Sequence, residues 1–164
     1  MTATLPASSA PNVVDEKEIV ITRVFDAPRE LVFQMWTEAE HLAQWWGPRV
    51  FTNPVCECDA RVGGAWYIVM RSPDGKDYPC GGTYLEVTPP ERLLFKNDAV
   101  DADGKVIIDG LTEVRFAEHG AGQTLLTLTT RAAALNEQMA LAIAGMHAGW
   151  SQSLDKLAEM FTSH

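Results

Sequence analysis

The sequence lacks an excess of positive charge, because 13 Lys and Arg residues face 22 Asp and Glu residues in a chain of 164. The formal net charge of -9 disfavours phosphate backbones and anionic membrane surfaces as partners. We therefore expect no nucleic acid among the partners of this protein.

Long apolar runs are also lacking. No stretch reaches the roughly 20 residues that cross a bilayer, and the N-terminus has no signal-peptide pattern, so we expect no membrane insertion and a cytoplasmic location. The three cysteines are an odd number, which without an export signal predicts reduced thiols. A hydrophobic content of 46% is enough for one domain with its own core.

Motifs that carry common reaction chemistry are missing as well. There is no Gly-x-Ser-x-Gly elbow, phosphate loop, dinucleotide fingerprint or His-Glu-x-x-His helix. Cys56, Cys58 and Cys80 lack the paired spacing of a zinc site. Residues 98–109 are acidic, but Ala99 would occupy the first ligand position of a calcium loop, which predicts a solvated turn or mobile gate. No metal and no cofactor is predicted.

The most regular feature that is present is an apolar stripe from Asn136 to Phe161. Its members recur at steps of three and four: Met139, Ile143, Met146, Trp150, Leu154, Leu157 and Phe161. This period predicts one continuous amphipathic helix, about 35–40 Å long at 1.5 Å per residue. Gly145 and Gly149 lie one turn apart in it, which favours close packing against a sheet or the border of a cavity.

The chain before this helix divides into an arm, a strand, two short helices and a β region. Residues 1–16 are rich in Ala, Ser, Thr and Pro and are predicted to be a disordered arm, followed by a single domain over 17–162. A first strand over 18–25 precedes two short helices, capped by Asp26 and by a Thr37–Glu40 capping box.

The β region shows alternating apolar and polar residues. Six further strands are predicted near 50–59, 65–71, 78–87, 92–97, 111–118 and 124–131. Short connections indicate antiparallel pairing, and a sheet with one apolar face has to be covered by the terminal helix. The predicted fold class is therefore α+β.

Several motifs in this order resemble a known superfamily. They are Thr22-Arg23, Phe25-Asp26-Ala27-Pro28, Trp45-Trp46-Gly47-Pro48, Gly63-Gly64, Pro73-Asp74-Gly75, Gly82-Thr83-Tyr84, Pro89-Pro90-Glu91-Arg92, Gly149-Trp150 and Leu154-Asp155-Lys156-Leu157. Together they resemble the START-like (SRPBCC) superfamily, and within it the family of the activator of heat-shock protein 90 ATPase. The resemblance implies a helix-grip fold: a curved antiparallel sheet of six to seven strands wrapped around a long C-terminal helix, with two short helices after strand 1.

The same resemblance implies a cavity between sheet and helix, and three functions follow from it. The first is non-catalytic binding of a small hydrophobic ligand. The second is a cyclase-like or hydratase-like enzyme that uses His147, Tyr67, Tyr78 or Tyr84. The third is a co-chaperone-like module that stimulates the heat-shock protein 90 ATPase in the stress response, as a monomer or homodimer.

The residues expected at the site are aromatic, thioether and imidazole side chains. They are Trp45, Trp46, Trp66, Met70, Tyr84, Phe95, Phe116, Met146, His147 and Trp150. A filled core would use the same residues, and the two interpretations differ only in unfilled volume. His147 is the one catalytic candidate, with a structural histidine as the alternative.

Overall fold

A computed structural model describes residues 5–162 of the chain as an antiparallel sheet packed against four helices. In chain order the elements are β1 (Asp15–Phe25), α1 (Arg29–Thr37), α2 (Ala39–Trp45), β2 (Thr52–Cys58), β3 (Ala65–Arg71), β4 (Asp77–Thr88), β5 (Arg92–Lys96), β6 (Asp98–Val100), β7 (Val106–His119), β8 (Gln123–Ala134), α3 (Glu137–Ala144) and α4 (Met146–Thr162). The predicted α+β helix-grip fold is confirmed.

The sheet runs in the order β1-β8-β7-β5-β4-β3-β2, and β6 pairs with both β4 and β7. The described chain thus forms eight strands, and the additional one lies where the sequence predicts a turn over 98–109. That prediction is wrong for most of the segment, because Ala99 pairs with Cys80 of β4 and with Ile108 of β7. The acidic composition of this segment therefore concealed a short strand that pairs on both sides.

The two short helices begin differently from the prediction. Helix α1 has Pro28 at its N-cap, without a side-chain cap, so Asp26 does not cap it. Helix α2 follows Glu38, and no side chain caps it either. Thr37 is still the last residue of α1, and its hydroxyl donates to the carbonyl oxygen of Phe33 at 3.1 Å, one turn back. The predicted capping box is therefore wrong.

The C-terminal helix is interrupted at Gly145. Its φ of -97° and ψ of 7° leave the helical region, and α4 starts at the next residue. The prediction of one continuous helix over 136–161 is wrong at this point, because an apolar stripe indicates which side faces the core but not whether the backbone stays helical. Asn136 caps α3 by accepting a hydrogen bond from the backbone N–H of Met139 at 2.8 Å.

Residues 5–14 lie along the outer face of the sheet. The backbone N–H of Leu5 donates to Glu18 at 3.0 Å, and the carbonyl oxygen of Pro6 accepts from Arg131 at 3.0 Å. Leu5 is buried, and β1 already begins at Asp15. The described part of the predicted disordered arm is therefore held by charged groups of the sheet, which its composition does not reveal. Residues 1–4 lie outside the described residues, and the single domain over 17–162 stays a prediction.

The main core lies between the inner face of the sheet and α1, α2 and α4. Its fully buried side chains include Phe25, Phe116, Leu126, Leu128, Leu154 and Leu157. A second, smaller cluster joins Ala132, Ala134 and Ile143 under α3. Within residues 5–162, no helix combines the length and the apolar character that crossing a membrane requires.

Candidate ligand cavity

A cavity of about 230 Å³ lies between one end of the sheet and helices α3 and α4. Strands β4, β6, β7 and β8 contribute its floor, and the segment after α2 contributes Trp46, Gly47 and Pro48 to one wall. The opposite wall includes Ile143 of α3 and Met146 of α4. Most of the lining is apolar, which is the character of a small-molecule site.

The inner face of β8 explains why space remains here. Going along the strand, its buried inward residues are Leu126, Leu128, Thr130, Ala132 and Ala134. The inward side chains therefore become smaller toward the C-terminal end of β8. At that end they are too short to fill the space between the strand and the helices, and the unfilled volume lies there.

Glycines on neighbouring elements enlarge the same space. A Cβ at Gly110 of β7 would lie 2.0 Å from the carbonyl oxygen of Asn97, so the close approach of these two segments requires glycine. A Cβ at Gly149 of α4 would meet only Pro48, at 3.9 Å. Glycine is thus required at position 110 by the packing of the strands. At position 149 the space beside α4 would accept a side chain, and glycine leaves that space open.

Two tryptophans form the aromatic part of the lining. The ring centroids of Trp46 and Trp150 lie 5.3 Å apart at an interplanar angle of 78°, and both rings border the cavity. Trp36 stacks on Trp150 at 6.2 Å, and Trp66 packs on Trp46 at 5.1 Å. The lining rings are therefore supported from behind by core rings, which holds them in place without a ligand.

Polar side chains occupy a small part of the lining. Thr130 and Thr112 share a hydrogen bond of 2.8 Å between their hydroxyl oxygens, and Asn97 Nδ2 lies 3.5 Å from Thr112 Oγ1. Ser153 of α4 is only 4% exposed, and within residues 5–162 its hydroxyl has no hydrogen-bond partner. These groups give an apolar cavity a few points at which a ligand can be oriented.

The cysteines remain thiols in this environment. Burial raises the pKa of Cys80, which lines the cavity, to about 12, and burial also raises the pKa of Cys56 to about 11. Burial raises the pKa of Cys58 as well. All three are free. Since metals and electrophiles react with the thiolate, these residues are poor ligands and poor nucleophiles.

One group of potential metal ligands occurs among residues 5–162. The carboxylates of Glu38 and Glu40 and the imidazole of His41 lie within 4.8 Å of one another at the start of α2. His41 Nε2 is 3.3 Å from a carboxylate oxygen of Glu38, as in an ordinary surface pair. None of the three lines the cavity, so the group has no connection with the candidate site.

The structure divides the ten predicted site residues into three groups. Trp46, Met70, Met146 and Trp150 line the cavity. Five others belong to the filled core, namely Trp45, Trp66, Tyr84, Phe95 and Phe116. His147 is exposed and does not border the cavity, whereas residues 146, 149, 150 and 153 of α4 do.

Two of the predicted site tryptophans in the core donate to backbone carbonyl groups. Trp45 Nε1 donates to the carbonyl oxygen of Met35 at 3.0 Å, and Trp66 Nε1 donates to that of Lys96 at 2.8 Å. Burial raises the pKa of Tyr84, which keeps its hydroxyl protonated. These side chains hold the fold together and are not directed at a ligand.

Sequence reasoning missed the small and polar lining residues. The predicted site consisted of aromatic, thioether and imidazole side chains. It therefore left out six small or polar residues that line the cavity: Asn97, Ala99, Gly110, Thr130, Ala132 and Ser153. A signal was present in the inward positions of the last strand, which run from leucine through threonine to alanine. A stepwise loss of volume on one face marks the place where a core stays unfilled.

A curved antiparallel sheet that closes around a C-terminal helix and leaves a cavity between them defines a START-like protein. The model of the family described as "Activator of Hsp90 ATPase homolog 1-like protein" matches residues 26–162, and the chain belongs to this family.

Solved structures agree with this assignment. A protein from Chromobacterium violaceum is 30% identical, with a TM-score of 0.75, over 94% of this chain and 100% of its own. The AHSA1 protein from Silicibacter pomeroyi is 26% identical, with a TM-score of 0.70, over 90% of this chain and 100% of its own. A protein from Arthrobacter aurescens, 21% identical over 93% of both chains, shares the fold with a TM-score of 0.78. The search of curated proteins returned no significant match.

Proposed function

We propose that the protein binds a small hydrophobic molecule in the cavity between its sheet and helices α3 and α4, without catalysing a reaction on it. The observation that carries this proposal is an apolar space of about 230 Å³ bordered by the supported rings of Trp46 and Trp150. A family whose fold suits ligand binding in general supports it further.

The chemistry of the lining favours binding over catalysis. Its titratable members are Cys80, whose pKa is raised by burial to about 12, and Arg131, whose guanidinium is engaged on the outer face. A general acid or base works best with a pKa near the operating pH, which Cys80 does not have, and the hydrogen bonds of Arg131 are directed away from the cavity. Tyr67 and Tyr78 are exposed and do not border the cavity.

The co-chaperone hypothesis has less support from the surface. The large exposed apolar side chains of residues 5–162 are divided among β1, α1, β2, β3, β4, α3 and several loops, with Leu141 of α3 and Val62 the most exposed. Single apolar residues of this kind are normal on a protein surface. A cytoplasmic location and a monomeric or homodimeric state remain predictions.

Binding of 6-propionyl-2-(dimethylamino)naphthalene, a neutral two-ring dye whose fluorescence rises and shifts to the blue in apolar sites, tests the proposal. We expect the purified protein to bind the dye, and Ala132→Leu, which adds three carbons to the floor of the cavity, to weaken binding at least tenfold. Ala144→Leu, at an exposed position of α3 outside the lining, is the matched control and should bind normally. Equal binding by both variants, or none by the wild type, would contradict the proposal.

A further inference from the structure

We propose that the ligand is an uncharged alcohol or phenol of one to two rings, whose hydroxyl group is recognised by Asn97 and Ser153. This inference rests on the proposed binding function and concerns the same cavity. It follows from the volume of the cavity, the absence of an available charge in its lining, and two polar groups without partners.

The volume limits the size of the ligand. A cavity of about 150 Å³ is sufficient for benzene, and drug-sized ligands occupy sites of about 300–1,000 Å³. The 230 Å³ found here lies between these values. The space therefore accommodates one or two rings with a short substituent.

The charges near the cavity argue against an ionic ligand. Arg131 Nε donates to the carbonyl oxygen of Pro6 at 3.0 Å, and its Nη1 donates to that of Asp109 at 2.7 Å, so the guanidinium is engaged on the outer face. Lys156 Nζ donates to the carbonyl oxygens of Trp46 and Pro48, each at 3.3 Å. No carboxylate belongs to the lining formed by residues 5–162. A charged ligand would thus lose its hydration without gaining a partner, which is costly.

Ser153 is the first of the two polar groups. It is 4% exposed, it borders the cavity, and its hydroxyl forms no hydrogen bond with another residue in the described range. A serine hydroxyl can donate and accept hydrogen bonds. It can therefore pair with a ligand hydroxyl, whereas a hydrocarbon offers it no partner.

Asn97 is the second group, and its neighbours determine which atom it offers. Thr130 Oγ1 lies 3.4 Å from the carbonyl oxygen of Leu111, to which it donates, so the Thr112 hydroxyl donates to Thr130. Thr112 Oγ1 is then left as the acceptor for Asn97 Nδ2 at 3.5 Å. This arrangement uses both hydroxyl protons and leaves Asn97 Oδ1 without a partner among residues 5–162. A carbonyl-type oxygen of this kind accepts a hydrogen bond from an alcohol or phenol.

Three compounds of similar shape separate these requirements: 4-propylphenol, propylbenzene and 4-propylbenzoate, with binding measured by calorimetry at pH 7. We expect the phenol to bind roughly tenfold more tightly than propylbenzene, a difference of about 1.4 kcal/mol, because only the phenol can form hydrogen bonds with Asn97 and Ser153. The benzoate should show no measurable binding.

Two variants assign the preference to the named groups. Ser153→Ala and Asn97→Leu should each reduce the ratio of phenol affinity to propylbenzene affinity at least twofold. Ser151→Ala, on the same helix but outside the lining, is the matched control and should keep the full advantage. Circular dichroism identifies any variant that fails to fold. If Asn97→Leu does not fold, the test rests on Ser153→Ala, which removes a single oxygen atom.

The outcomes distinguish this inference from the proposed function. Equal affinity for phenol and propylbenzene, or tightest binding of the benzoate, would overturn the inference and leave hydrophobic binding intact. Failure of all three compounds together with the neutral dye would overturn the proposed function itself.

Discussion

The two ends of the protein interior share strand β8 and helix α4, yet only one of them is filled. At the filled end, Leu126 and Leu128 of β8 are fully buried together with Leu154 and Leu157 of α4. At the other end, Ala132 of β8 lines an open space of about 230 Å³. The difference lies in side-chain volume at equivalent positions of one continuous framework.

This contrast indicates how stability and binding are separated in the molecule. Large side chains at the filled end supply the burial that stabilises the fold, so small side chains at the other end leave a cavity without loss of the framework. The outer face of the sheet also differs between the two ends. Behind the cavity end, Asp109 contacts Ser8, Lys96 and Arg131, which ties residues 5–14 to the sheet.

Truncation should have its largest effect at the filled end. Leu128→Ala removes a fully buried side chain and creates a new cavity, so we expect a loss of about 2–5 kcal/mol in the free energy of unfolding. Met146→Ala enlarges a space that already exists and should cost about 1 kcal/mol. Urea denaturation measures both. Equal costs would mean that the two ends do not differ in packing.

Enlargement of side chains should again destabilise the filled end more than the cavity end. Ala27 belongs to the filled core, and Ala27→Leu is expected to destabilise by about 1–3 kcal/mol through overpacking. Ala132→Leu places the same atoms into open space and should change the free energy of unfolding by less than about 1 kcal/mol. Thermal unfolding compares the two, and a similar loss in both variants would argue against an open cavity.

Acid should weaken the attachment behind the cavity. Burial alone would raise the pKa of Asp109, but hydrogen bonds from Lys96 and Ser8 and the charge of Arg131 outweigh it and leave the pKa below its ordinary value. A carboxyl group with a lowered folded-state pKa stabilises the protein above its unfolded pKa of about 3.9, and this contribution disappears as pH falls through the folded value.

Asp109→Asn should therefore make the unfolding free energy less dependent on pH below about 4. Unfolding curves collected from pH 5 to pH 2 provide the measurement. Glu113, whose pKa is also lowered, lies between Arg92 and Arg115 behind the filled end, and Glu113→Gln serves as the comparison. An unchanged pH profile in Asp109→Asn would show that this carboxylate does not hold the arm.

The smallest effect is expected at the break between α3 and α4. A Cβ at Gly145 would meet only a carbonyl oxygen at 3.8 Å, and the φ of -97° suits any residue. Gly145→Ala should therefore stabilise the protein by about 0.4–1 kcal/mol, by restricting the unfolded chain. Differential scanning calorimetry can detect this increase. A destabilised variant would show that packing of α3 over the cavity demands glycine at this position.

Local sequence patterns were sufficient for most of the framework. The predicted strand over 65–71 coincides with β3, and the strand over 92–97 differs from β5 by one residue, because alternation and turn residues mark both ends. The strand β6 was not predicted, because its three residues, Asp98 to Val100, are too few to show an alternating pattern. The break at Gly145 escaped because a glycine within a stripe is compatible with a helix.

The sequence by itself determined the order of the elements, the face of each strand that turns inward, and the membership of a START-like family. Which large residues fill the core and which border the cavity was decided only in three dimensions. Trp46 and Trp66 have the same character in sequence, but the cavity lies beside one and not the other. The reason is that unfilled volume depends on several segments at once. Ala132 of β8, Gly110 beside Asn97, and the side of α4 that carries Gly149 all border the same space.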